Sequence, residues 1–245
     1  MTFRSIAVVS AVALTLAALE VVANERSIRA ALDAELPGIG IEAITESTFP
    51  GLFEVTYTGG VLYASADGRF VLLNARLLDL RLRRNLTERT LSRRRLEVLA
   101  EVSELAMINY EPSGKVEHTL TTFTDIDCPY CRKMHAEMDA LNAHGIRVRY
   151  LLFPRTGASS PSYDKAVSVW CAPDRAEALT WAKSGEEPEK RTCENPIREH
   201  IALAHQLGLT GTPFTITDTG RIITGYMPLE TLLSTLREYR QEAAR

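Results

Sequence analysis

Phe123-Thr124-Asp125-Ile126-Asp127-Cys128-Pro129-Tyr130-Cys131 runs from the end of a strand into the start of a helix. Phe123, Thr124 and Ile126 close a β-prone stretch, and Met134, Met138 and Leu141 then recur at helical spacing on one face. Pro129 suits a first helical turn, where its missing N–H leaves nothing unpaired. Two thiols three positions apart at such a junction, Cys128 and Cys131, can close a small disulfide and open it again. Unpaired backbone N–H groups and the positive end of the helix dipole face Cys128 and favour its thiolate. A thiol with the ordinary pKa of about 8.5 is only a few per cent ionised at pH 7. The thiolate is the species that attacks disulfides.

The competing reading of this pair is half a zinc site. Structural zinc takes four ligands, often from two short-spaced pairs. Cys171 and Cys193 make no second pair of that kind, and the five histidines have no metal-ligand spacing. Redox chemistry is therefore expected, with no metal and no cofactor. His135, one turn after Cys131, reads as a solvated helix residue. Asp127 reads as a solvent-facing helix N-cap; pointing inward, its carboxylate would oppose thiolate formation.

All four cysteines fall between 128 and 193. Four cysteines allow three connectivities, and the sequence alone does not choose among them. Thiol chemistry favours Cys128–Cys131 and Cys171–Cys193. The second pair would close a loop of roughly twenty residues, worth about 3 kcal/mol.

Residues 1–23 read as a secretory signal peptide. Arg4 supplies a charge, Ile6 to Leu19 an apolar run, and Val21-Val22-Ala23 a small residue for cleavage. The run is shorter than the ~20 residues that span a bilayer, and Glu20 interrupts it. Export implies an oxidising compartment. The net charge of −3 argues against a nucleic-acid partner. Arg89 and Arg93-Arg94-Arg95 interleave with Glu88, Glu97 and Glu101, which reads as a solvated helix face.

Working outward, residues 24–37 read as a helix, with Ile28, Ala31, Leu32 and Leu36 on one face and Pro37-Gly38 at its end. Phe53 to Tyr57, Val61 to Ala64 and Arg69 to Leu72 read as strands around Gly59-Gly60 and Asp67-Gly68 turns. This gives a small α+β domain over 24–85, too small to bury a large core alone. A helix follows from Thr87 to about Met107, within a linker assigned to 86–109. Residues 110–245 alternate strand and helix: strands at Val116 to Phe123 and Arg147 to Phe153, and helix from Cys128 to Asn142. Further helices fall over 161–184 and Pro196 to Leu207. Phe214 to Ile223 forms a hairpin around Asp218-Thr219-Gly220, and a last helix opens at Pro228. The fold class is α/β, a thioredoxin-like C-terminal domain with a helical insertion.

With these residues in place, the chain resembles the periplasmic thiol:disulfide interchange family of DsbC and DsbG. The resemblance rests on Phe123 through His135, Gly145 to Leu151, Phe153-Pro154-Arg155, Val169 to Ala172, Gly211-Thr212-Pro213 and Gly60 to Tyr63. It implies a V-shaped homodimer joined by the N-terminal domains, and recharging by a membrane thiol reductase of the DsbD type. Cys128 then matches the attacking cysteine and Cys131 the resolving one. Cys171 and Cys193 match a structural disulfide. Thr212-Pro213 matches a cis-proline loop that binds substrate together with Tyr130. Pro129-Tyr130 is the DsbG-like dipeptide, whereas the second cysteine pair is DsbC-like. The function so implied is isomerisation or reduction of non-native disulfides in misoxidised or unfolded exported proteins. Rival readings are a DsbG-like reductase of sulfenylated cysteines, a monomeric DsbA-like oxidase, and a holdase chaperone with secondary redox activity.

Overall fold

A computed structural model describes residues 24–244 in two units, divided between Thr87 and Glu88. The proposed signal segment lies outside the described residues. No helix among those described is long and apolar enough to cross a membrane.

The first unit packs helix α1, over residues 24–35, on an antiparallel sheet. Its strands are β1 Ile41–Glu46, β2 Leu52–Tyr57, β3 Gly60–Ser65 and β4 Val71–Leu72, adjacent in that order. Period-two alternation aims Phe53 and Val55 of β2 at the helix beside their partners Ala64 and Leu62 of β3. Ile28, Leu32 and Ile44 complete that core. The sequence reading did not include β1. A register shift between Ile41 and Ala43 breaks its alternation, so Ile41 and Ile44 fall three apart and show no strand period. Strands β5 Leu78–Asp79 and β6 Arg84–Asn85 form a separate small pair. Thr87 ties this segment down: its hydroxyl lies 2.5 Å from the Tyr63 hydroxyl and accepts from Leu77 N–H at 2.8 Å.

The second unit begins with helix α2, Leu86–Ala100, which crosses the division. The helix expected as far as Met107 ends at Ala100. Ser103 caps a short 3-10 turn at Glu104–Ala106, and Ile108–Tyr110 becomes edge strand β7. Nor is α2 only a spacer. Leu99 is buried with Met107, Phe123, Phe214 and Ile216, and the Arg95 guanidinium donates to Gly220 O at 3.0 Å.

The remaining strands are β8 His118–Thr124, β9 Ile146–Leu152, β10 Phe214–Thr217 and β11 Ile222–Thr224, in the sheet order β11-β10-β8-β9-β7. β8 and β9 are parallel, and the other pairs are antiparallel. Both faces of this sheet are covered, which suits buried parallel strands. Leu120, Ile146, Val148, Tyr150 and Leu152 enter one core, while Phe123, Leu151, Phe214 and Ile216 enter the other. Threonines replace aliphatics in the middle of the sheet without leaving orphan hydroxyls: Thr122 and Thr215 bond across β8 and β10 at 2.9 Å.

The helix expected from Cys128 to Asn142 is two helices, α3 Pro129–His135 and α4 Met138–Ala143, broken at Ala136 and Glu137. Three helices, α5 Pro161–Trp170, α6 Arg175–Ser184 and α7 Ile197–Gln206, fill the chain between β9 and β10. Helix α8, Leu229–Ala244, closes the unit with Leu232 and Leu236 buried. The unit is a thioredoxin-like domain carrying a helical insertion.

Candidate active site

Strand β8 delivers Thr124 to the sheet edge, and the chain turns through Asp125, Ile126 and Asp127 into α3. Cys128 is the N-cap of that helix, with extended backbone angles and no side-chain cap bond, and Pro129 fills its first turn. Asp127 is therefore not the cap. Its carboxylate accepts from Arg132 Nη2 at 3.3 Å and Lys165 Nζ at 3.2 Å, so two cations offset a charge next to Cys128.

Cys128 and Cys131 are both free thiols with 1% of their surface exposed. They differ in depth. Cys128 is covered by close neighbours, whereas Cys131 sits in the core. Covering alone would push the Cys128 thiol up. Hydrogen bonding from Thr212 and from the N–H groups of Cys131 and Tyr130 outweighs this and holds its pKa below the ordinary thiol value. Burial pushes the Cys131 thiol the other way, above its ordinary value. The two cysteines are thus split electrostatically, with the helix-terminal one easier to ionise.

The Thr212-Pro213 peptide is cis and lies against this pair. The Cys128 thiol donates to Thr212 O at 3.3 Å, and Pro213 O accepts from Gly225 N–H at 2.8 Å. The Thr212 hydroxyl is buried, has no other partner among the described residues and lies against both sulfurs. Tyr130 is 62% exposed beside these buried groups. The structure thus brings Cys128, Cys131, Tyr130, Thr212 and Pro213 together.

Cys171 and Cys193 are joined to each other, with S–S 2.00 Å, leaving the site thiols free. The bond links the C-terminal end of α5 to the segment before α7.

Several residues around the thiols carried no role in the sequence reading. Asp125 is 3% exposed and accepts four hydrogen bonds: from Asp127 N–H, Arg155 N–H, Arg155 Nε and the Ser162 hydroxyl. Burial alone would raise its pKa, but these donors hold it below the ordinary carboxylate value. Lys183 of α6 is 4% exposed and donates to the Thr124 hydroxyl at 2.8 Å and to Asp125 O at 3.4 Å. His135 is buried rather than solvated. Its Nε2 lies 3.0 Å from the Thr180 hydroxyl, and burial with the nearby Lys183 charge pushes its pKa down to about 4. His135 faces α6, which the sequence places about forty residues downstream, so no local pattern reveals its burial.

Among the described residues no cluster of three His, Cys, Asp or Glu side chains is arranged to hold a metal. The arrangement can instead generate one thiolate beside a second, protonated thiol.

Residues 104–240 match the thioredoxin-like domain model, and residues 18–88 match the disulfide bond isomerase N-terminal domain model. The chain is 34% identical over 215 residues to the thiol:disulfide interchange protein DsbC of Dickeya dadantii (strain 3937), covering 86% of this chain and 87% of that one. It is 33% identical over 216 residues to DsbC of Escherichia coli (strain K12), covering 86% and 89%. Among solved structures it is similar to a disulfide interchange protein from Neisseria gonorrhoeae, with 31% identity and a TM-score of 0.51 over 57% of this chain and 99% of that one. With two domain models in sequence order and relatives matched over most of both chains, this chain belongs to the DsbC family of thiol:disulfide interchange proteins and is a disulfide isomerase or thiol–disulfide oxidoreductase.

Proposed function

We propose that this chain is an exported, periplasmic thiol–disulfide isomerase and reductase that acts on non-native disulfides of secreted proteins through Cys128 and Cys131. The observation that carries this reading is the placement of two free thiols at the start of α3, with Cys128 at the N-cap against the cis Thr212-Pro213 peptide, 3.3 Å from Thr212 O. The opposite displacement of the two thiols, Cys128 toward ionisation and Cys131 away from it, accords with it. Cys128 thiolate attacks one sulfur of a substrate disulfide, and the other substrate sulfur leaves as a thiolate. That freed thiolate can attack elsewhere in the substrate and return Cys128, which is isomerisation. Alternatively Cys131, once deprotonated, attacks the Cys128 sulfur and releases the substrate reduced by two electrons. A membrane thiol reductase of the DsbD type then restores the dithiol.

Tyr130, Thr212 and Pro213 form the substrate-binding surface in this reading. The exposed tyrosine offers apolar contact without a deep pocket, and the Thr212 backbone offers polar groups to an extended chain. Cys171–Cys193 is structural, since it fastens the segment before α7 and leaves the site thiols free. The N-terminal domain joins two chains into a homodimer, which the match to an isomerase N-terminal domain supports.

Refolding of a scrambled multi-disulfide substrate tests the reading. Cys131→Ala should accumulate mixed disulfides with substrate, and Cys128→Ala should accumulate none. Trapping by the Cys128 variant alone would reverse the assignment. Full rescue of substrate by a variant lacking both thiols would favour the chaperone reading instead. The Pro129-Tyr130 dipeptide keeps one further substrate open, a cysteine sulfenic acid, which Cys128 thiolate would convert to a mixed disulfide with loss of the oxygen as water.

A further inference from the structure

Lys183 is a buried cation with no carboxylate in direct contact among the described residues. It reaches from α6 to the end of β8, where its ammonium donates to the Thr124 hydroxyl at 2.8 Å and to Asp125 O at 3.4 Å. Its Nζ also lies 5.5 Å from the centroid of the Tyr150 ring. Among the described residues no carboxylate stands within ion-pair distance of it; the Asp125 carboxylate is engaged by Arg155 at 3.0 Å instead. An ammonium desolvated this far is costly unless something offsets it. Besides the Asp125 carboxylate, the thiols of Cys131 and Cys128 are the groups whose negative charge would act on Lys183, Cys131 most strongly. The Thr124 hydroxyl that receives Lys183 also lies against the Cys131 sulfur, so one hydroxyl stands between the two.

We propose that Lys183 is a positioning residue for the second half of the exchange reaction, its ammonium acting through Thr124 to stabilise Cys131 thiolate as the mixed disulfide is resolved. The inference rests on the redox reading of the Cys128/Cys131 pair. In the mixed disulfide, Cys128 sulfur is bonded to a substrate sulfur. The Cys131 thiol gives its proton to water, and Lys183 stays protonated as counter-ion. Cys131 thiolate attacks Cys128 sulfur, forming the Cys128–Cys131 bond and breaking the bond to substrate. The substrate sulfur leaves with the electron pair and takes a proton from water. Two electrons pass from the enzyme dithiol to the substrate, and no other reductant enters.

The other groups facing Lys183 fit this role. Tyr150 on β9 stays neutral, its pKa raised by burial. His135 on α3 is held neutral. Arg132 of α3 and Arg155 after β9 add positive charge, which Asp127 and Asp125 engage in ion pairs. Cys128 is the second thiol within reach of the Lys183 charge. Burial pulls the Lys183 ammonium down to about 8, so it remains mostly charged at neutral pH. Without Lys183, burial would raise the Cys131 thiol further, and the mixed disulfide would persist longer. Persistence favours reshuffling over release, so Lys183 also sets the balance between isomerisation and reduction.

The test uses the full chain, a chromogenic aromatic disulfide and stopped flow across pH. The first burst of released thiol reports attack by Cys128, and the second reports resolution by Cys131. Lys183→Gln retains a side chain able to hydrogen-bond Thr124 but removes the charge; Lys183→Met removes both. Both variants should raise the apparent pKa of the second phase by about one unit or more. A unit costs tenfold in thiolate but returns part of that in nucleophilicity, leaving resolution roughly three- to fourfold slower at neutral pH. Above both pKa values the variants should match or exceed the unmodified rate, and the first phase should move less. An unshifted second-phase profile in either folded variant, or restoration of the normal profile by Gln, overturns the proposal. Absence of the first burst in the unmodified protein would instead overturn the redox reading on which it rests.

Discussion

At the scale of residues, ionisation fixes the behaviour of the buried polar groups of the second unit, inside the thiol site and outside it. His200 shows this most simply. Its Nδ1 accepts from Leu152 N–H at 3.2 Å, so Nε2 carries the proton that it donates to Ala106 O at 2.8 Å. Protonating Nδ1 would destroy the first bond, and burial pushes the His200 pKa down to about 4. His135 is lowered to the same value. Both groups bind more protons unfolded than folded between the ordinary histidine pKa of about 6.5 and 4. Their contribution to stability is therefore present above about 6.5 and lost as pH falls through that window, by up to about 3 kcal/mol each. Denaturant unfolding at stepped pH should show this loss, and replacing His200 by Gln should flatten its share. If stability is constant from pH 7 to 4.5, the two imidazoles are not held neutral. The Cys128/Cys131 pair was legible in the sequence because four consecutive positions suffice to define it. Lys183, Asp125 and Arg155 were not, because their roles exist only where β8, α3 and α6 meet. A lysine in an otherwise mixed helix reads as solvated until its neighbours are known.

At the scale of elements, most strands and helices followed from period and punctuation, and the exceptions have local causes. The bulge in β1 hides its alternation, and the short strand β7 hides in the continuation of a helical pattern. Whether α2 docks on the second unit was also illegible, since docking depends on residues far along the chain, Phe214 and Ile216 against Leu99 and the turn between β10 and β11 against the helix backbone. Gly220 in that turn has φ +78°, and a Cβ there would stand 2.1 Å from Ser92 O of α2. Gly225 has the same φ with nothing within 4 Å of the added atom. Gly225→Ala should thus cost only the left-handed backbone penalty, about 1–2 kcal/mol. Gly220→Ala should cost a further ~1–3 kcal/mol for overlap with the helix backbone. Equal losses in the two melts would mean that α2 yields freely and is not fixed to this turn. The Cys171–Cys193 bond acts at the same scale. Replacing both by Ala should lower stability by about 2–5 kcal/mol, while the Cys128 burst with a chromogenic disulfide remains.

At the scale of the whole molecule, the open question is why a redox domain carries a second unit that holds none of its thiols. The first unit buries Ile28, Leu32, Ile44, Phe53, Val55, Leu62 and Ala64, a modest core. Over the same unit it leaves Phe70, Leu72, Leu73, Leu78, Leu80 and Leu82 more than half exposed. Six large apolar side chains within thirteen residues exceed what scattered surface exposure requires and are the surface at which the proposed homodimer would join. Strand β4 is also only two residues long, so much of the β3 edge lies beyond its reach. A second copy of this unit is the partner in the proposed homodimer. Gly60→Arg is a poor probe of that contact, because φ +147° at Gly60 would strain any side chain at the start of β3. Replacing Leu80 and Leu82, 83% and 51% exposed, by Lys changes the surface and spares the core. The double variant should sediment as a monomer where the unmodified chain sediments as a dimer. Its reduction of a small disulfide should persist, because that step needs one thiol pair. Its refolding of a scrambled substrate should fall severalfold if two chains must enclose the substrate between them. A monomeric unmodified chain at micromolar concentration would remove the dimer from the mechanism. A double variant that loses both activities equally would show that the leucines support the fold of the unit and not a contact between chains.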